Sequence, residues 1–150
     1  MITTARKLAN ASPRRPRQAD LKRAVSTAYY ALFQAIAKDA ADMIAGVGQN
    51  RPEKAWVQTY RSLQHSAARL ACGSVRDRGF PQPLITTADT FVKLQVLRHS
   101  SDYDPEYRVT RLEVLQVIDL AENAIRFIKS CPRRDRLAFA VLLLFPKPRT

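Results

Sequence analysis

The chain has 150 residues, 25 Lys and Arg against 13 Asp and Glu, and a formal net charge of +12. The length suits one domain, and a hydrophobic share of 46% is enough for a packed core, which argues against global disorder. The charge favours an acidic partner such as nucleic acid, but it sits at the ends: residues 1–25 and 126–150 each carry seven bases and one acid, while residues 26–125 carry eleven of each.

In chain order, residues 1–17 (MITTARKLANASPRRPR) read as a basic extension without the apolar run of a secretory signal. The first helix is predicted from Gln18 to Ala45. Leu21, Val25, Ala28, Leu32, Ile36, Ala40 and Met43 form its stripe, Tyr29, Phe33 and Ile44 widen it, and Gly46 and Gly48 stop it. A second helix starts after Asn50 with Pro52 and Glu53 in its first turn. Trp56, Tyr60, Leu63, Ala67 and Leu70 line its apolar side and Gly73 ends it. Ser74–Pro83 reads as a polar loop anchored by Phe80. A third helix runs from Leu84 or Thr86 to Ser100, with Phe91, Leu94, Gln95 and Leu97–Arg98 on its face. Asp102–Pro105 is a turn, because Pro105 holds Asp104 extended. A fourth opens at Thr110, with Glu113 three residues on in a capping-box pattern. It carries Val114, Ile118, Ala121, Ile125 and Ile128 to Cys131–Pro132. A short fifth helix, Asp135–Phe145, precedes a Pro-Lys-Pro-Arg tail. No alternating strand pattern competes. The prediction is an all-α fold: a four- to five-helix up-and-down bundle over residues 18–131, the basic extension 1–17, and a short C-terminal helix with a basic tail over 132–150. The nearly all-apolar LAFAVLLLF of the last helix needs cover from the bundle or from a second subunit.

Several chemistries are missing. Cys72 and Cys131 form no CxxC or Cys/His cluster, so a zinc site of the usual spacing is excluded. One disulfide stays open, and reduced thiols in a cytoplasmic protein are the favoured reading. No phosphate-binding Gly loop, HExxH or GxSxG occurs, and neither cofactor nor metal is expected. Asp39, Asp42, Glu113, Asp119 and Glu122 are spaced like solvated charge rather than like the Glu-x-x-His ligands of a bundle metal site. The most apolar run, Leu137–Phe145, falls well short of the ~20 residues that cross a bilayer, so no membrane contact is expected.

The segment Leu97–Pro105 (LRHSSDYDP) concentrates Arg98, His99, Asp102 and Tyr103 where a helix hands over to a turn. An imidazole there can serve as acid or base, and a guanidinium can pair with a phosphate. The same residues also suit a plain helix end, with Arg98 on the dipole and bonded to Asp102 or Asp104. Tyr29 and Tyr30 point about 100° apart, one toward the core and one toward a neighbour.

RAVSTAYYALFQAIA, RSLQHSAARLAC, FVKLQVLRHSSDYDP and TRLEVLQVIDLAENAI follow one another over residues 20–130. In that order they resemble the HEPN superfamily, most of all a bacterial branch with an RAYYA-type first helix and an R-x-x-x-D-Y-D-P turn. The resemblance implies a four- to five-helix bundle, commonly dimeric, acting in toxin–antitoxin, defence or RNA-processing systems. Active members are metal-independent endoribonucleases that use an Arg and a His separated by four to six intervening residues. This sequence departs from that pattern. His99 adjoins Arg98, and neighbours on a helix do not face one another. Arg61 and His65 stand one residue too close.

Three functions compete. The first is a binding or regulatory bundle without nuclease chemistry, working as a homodimer or with a partner protein. The second is an endoribonuclease with a displaced site at Arg98, His99 and Tyr103, with Asp102 beside them and His65 contributing. The third is a nucleic-acid-binding module that uses Arg14, Arg15 and Arg17 at one end and Arg133, Arg134 and Arg136 at the other, with RNA as the ligand.

Overall fold

The computed structural model describes residues 1–12 and 14–145. Seven helices and no strand occur among them: α1 (Ile2–Ala9), α2 (Gln18–Ala45), α3 (Glu53–Ser62), α4 (His65–Ser74), α5 (Gln82–Tyr103), α6 (Arg111–Ser130) and α7 (Arg133–Leu144). The all-α expectation holds, and the predicted first helix has the bounds expected for it. The Pro-Lys-Pro-Arg tail lies outside the described residues.

The central element is α2, where fourteen of the 28 residues are buried, many of them alanines that let neighbours approach on several sides. It ends where Gly46 adopts φ 102°, a left-handed setting that L side chains resist. Two contacts orient the long helices. The Gln18 side chain, at the start of α2, exchanges hydrogen bonds with the backbone of Val109, just before α6. The Thr87 hydroxyl, near the start of α5, donates to the carbonyl of Ala124, late in α6. Hence α2 and α6 run the same way and α5 runs against both. One core holds Tyr29, Leu32, Phe91, Leu94, Ile118 and Ile128 between them.

The predicted second helix is two. Leu63 and Gln64 are extended, at φ/ψ −69/127° and −117/141°, and they separate α3 from α4. No Gly or Pro marks this corner. It forms because Leu63 is buried and His65 reaches an aromatic cluster on α2, tertiary contacts that outweigh local helix preference. The corner also turns α4 about its axis. Ala68 and Cys72 face the core, whereas Leu70, expected on the apolar stripe, is 79% exposed. Gly73 is the last residue but one of α4, close to the predicted end, and the left-handed turn falls at Gly79.

The predicted basic extension contains α1. Its Ala5 and Ala9 are completely buried against α2 and α6, and Arg6 pairs with Asp119 and Glu122 of α6. Arg111 donates to the carbonyls of Ala9 and Ser12 and so closes the C-terminal end of α1. The apolar last helix, α7, packs on α2 and α4 through Phe139, Ala140 and Leu143, and leaves Val141 and Phe145 exposed. No described helix is long and apolar enough to cross a membrane.

Two of the five acids read as solvated charge correct that expectation; Glu113, Asp119 and Glu122 stay at the surface. Asp39 and Asp42 are buried on α2. Asp39 accepts from Arg136, fastening α7. Asp42 accepts from Lys38 at 2.8 Å and from the Trp56 indole at 2.9 Å, fastening α3. Asp119 and Glu122 hold Arg6, and Glu113 completes the capping box with Thr110. No group of three metal-ligating side chains occurs among the described residues.

Candidate functional site

The corner between α3 and α4 places His65 at the first position of α4, beside the middle of α2. Its ring stacks on Phe33 at 4.0 Å, meets Tyr30 edge-on, and its Nδ1 is 2.6 Å from the Tyr29 hydroxyl. Gln95 of α5 donates to the Tyr29 oxygen at 3.4 Å and to the His65 carbonyl at 2.9 Å. Tyr29 and His65 thus share one hydrogen bond, whose donor is set by the imidazole tautomer. Burial lowers the His65 pKa, and the neighbouring Arg98 cation lowers it further. Burial likewise raises that of Tyr29. Both groups are therefore neutral near pH 7, and the pair orients an imidazole rather than storing a charge.

Arg98 lies on the same side of α5. Its guanidinium carbon sits 5.1 Å from the centre of the Tyr29 ring and 5.5 Å from that of Tyr30, in cation–π range. It reaches Asp102 one turn on at 3.5 Å, and Asp102 accepts in turn from the Ser26 hydroxyl of α2. Only 14% of the Arg98 side chain is exposed. Ser26, Asp102, Arg98, Tyr29 and His65 thus form a polar seam that ties α2, α4 and α5 together. Beside it opens a groove of about 330 Å³ lined by His65, Ser66, Arg69, Gln95, Arg98 and His99, with no carboxylate in its wall.

The sequence candidates separate accordingly. His65, Arg98 and Asp102 join the seam. His99 lines the groove, but its ring packs on Tyr103 at 4.9 Å, and both are exposed away from Tyr29. The adjacency of His99 to Arg98 thus leads to different surroundings for each. Tyr29 and Gln95 complete the site although sequence reasoning did not select them. The signals were a tyrosine inside an aliphatic stripe and a glutamine on an apolar face, both of which need polar partners when buried.

The basic clusters are less uniform than their sequences. Arg14, Arg15, Arg133 and Arg134 are exposed. Arg17 pairs with Asp20 at 3.0 Å, and Arg136 is largely enclosed against Asp39, so it is a structural cation. Cys72 and Cys131 are free and buried, and burial followed by Asp89 pushes the Cys72 thiol up to about 12. No family model, curated protein or solved structure matches the chain.

Proposed function

We propose that this chain is a HEPN-like helical bundle that serves as a binding or regulatory component of a toxin–antitoxin, defence or RNA-processing system. It acts as a homodimer or with a partner protein, and it has no ribonuclease chemistry of its own. RNA is the ligand assigned to the groove. The observation that carries this reading is the engagement of Arg98. The cation that the resemblance would place on a phosphate already answers Asp102 and lies over two tyrosine rings. His99 turns to Tyr103, so no Arg/His pair of the family's kind is assembled within one chain. The wall that remains, with Arg69 and two imidazoles and no carboxylate, suits a phosphate backbone held by charge. The test is a titration of labelled single-stranded RNA with the purified chain at several salt concentrations. The logarithm of the affinity should fall linearly with log salt, and binding should weaken several-fold in Arg69→Glu. Absence of salt-dependent binding removes RNA from the proposal.

A second reading has one observation in its favour. His65 and Arg98 line the same groove, and the Tyr29 hydroxyl holds the His65 ring through Nδ1. On that reading the chain is an endoribonuclease with a displaced site. Cleavage would be lost in His65→Ala and in Arg98→Ala, while loss in His99→Ala would return the site to Arg98, His99 and Tyr103.

A further inference from the structure

A second groove adjoins the first across Ser66 and runs between α4 and α7. It encloses about 400 Å³, with Ala67, Leu70 and Ala71 of α4 and Leu142 and Leu143 of α7 as its apolar wall, and with Ser66, Ser74 and, in the turn that follows α4, Arg78 as its polar members. Leu70 stands 79% exposed on its edge, the most exposed of the large apolar side chains among the described residues. On α7, Arg134, Ala138, Val141 and Leu142 fall on one helical stripe, of which Val141 is 43% exposed, and Phe145, just past the helix, is 61% exposed. Half of the apolar last helix thus buries itself in the bundle, and the other half continues the groove outward. A contiguous surface of this kind marks an interaction site.

The charge around it selects the occupant. Arg78 in the wall and Arg134 at the head of the α7 stripe are exposed and make no ion pair among the described residues. The only exposed carboxylate in α4, the turn after it and α7 is Asp77. A second copy of a chain of net charge +12 would bring like charge to this rim, which disfavours self-pairing. The walls are helices of ten and twelve residues, so the trough is about 15–18 Å long, three turns of a third helix. We propose that the α4–α7 groove docks an acidic amphipathic helix of a partner protein. Apolar side chains spaced i, i+3, i+4 and i+7 would fill the trough beside Leu70 and Leu142, and carboxylates would meet Arg78 and Arg134.

The test uses the full chain and a labelled synthetic helix of about 16 residues, with leucines at that spacing and glutamates elsewhere. Fluorescence anisotropy should show saturable binding that weakens with salt and falls at least about tenfold in Leu70→Glu, a substitution at an exposed position that leaves the circular dichroism unchanged. Arg78→Glu should weaken it less, and a peptide with lysines for the glutamates should not bind. Three results overturn the proposal: no saturable binding of the acidic peptide, equal binding of the lysine peptide, or binding indifferent to Leu70→Glu. Sedimentation showing a dimer that Leu70→Glu makes monomeric would also overturn it, by assigning the groove to a second copy.

Discussion

His65 is the residue through which the seam senses pH. Burial, and then the Arg98 charge, hold its pKa below the usual 6.5. Near and below that value the unfolded chain takes up a proton that the folded chain refuses, so the contribution is full above about pH 6.5 and is lost as pH falls toward the lowered folded value. Thermal melts from pH 7 to pH 5 should therefore show a larger fall in Tm for the native chain than for His65→Gln; equal slopes would mean that the imidazole is not desolvated as described. Asp39 makes the opposite kind of demand, because its carboxylate is buried and depends on Arg136. Arg136→Ala should cost about 2–3 kcal/mol in denaturant unfolding, less than the ~3–5 of a fully enclosed pair because 22% of the Arg136 side chain is exposed. Asp39→Asn in the same chain should recover part of that loss. His65, Arg98 and Asp102 could be selected from sequence by chemical type and position. Their arrangement could not, because it depends on Tyr29 and Gln95, which lie in apolar stripes and are exposed as site residues only when the helices are packed.

At the scale of elements, the long helices were legible because their apolar periods, caps and stops agree. Gln18–Ala45 ends at a glycine with positive φ, and Thr110 with Glu113 forms the capping box that the spacing predicted. The corner at Leu63–Gln64 was not legible. Trp56, Tyr60 and Leu63 continue to Ala67 and Leu70 in one period, and nothing local interrupts them. What breaks the helix is distant in sequence: the Asp42 carboxylate under Trp56, and Tyr29 and Phe33 against His65. Gly73, next to the end of α4, has no positive φ and has open space where a Cβ would go. Gly73→Ala should then stabilise the chain by about 0.5 kcal/mol, checked by denaturant midpoint. A loss of stability would mean that this glycine is needed as the end of the helix after all.

Over the whole molecule, the two basic ends divide their work. In the N-terminal stretch, α1 is part of the core, and its short, alanine-faced pattern was masked by the surrounding Arg and Lys. Removing residues 1–12 should destabilise the fold by on the order of 3 kcal/mol, as Ala5 and Ala9 lose their cover and Asp119 and Glu122 lose Arg6. Replacing Arg14 and Arg15 together by alanine should leave the melting temperature alone and reduce only salt-sensitive RNA binding. At the other end Arg136 supports α7, while Arg133 and Arg134 remain exposed. The net charge therefore mixes structural cations with cations available to a partner. The polar seam does the same in small: Arg98 is placed to hold helices together, and the groove beside it is placed to receive an anion. The measurement that tests this most directly is incubation of labelled single-stranded RNA with the purified chain in chelator, resolved by size. Intact RNA is expected from the native chain and from Arg98→Ala alike; cleavage by the native chain that is lost in a folded Arg98→Ala chain would show that Arg98 serves a ribonuclease site.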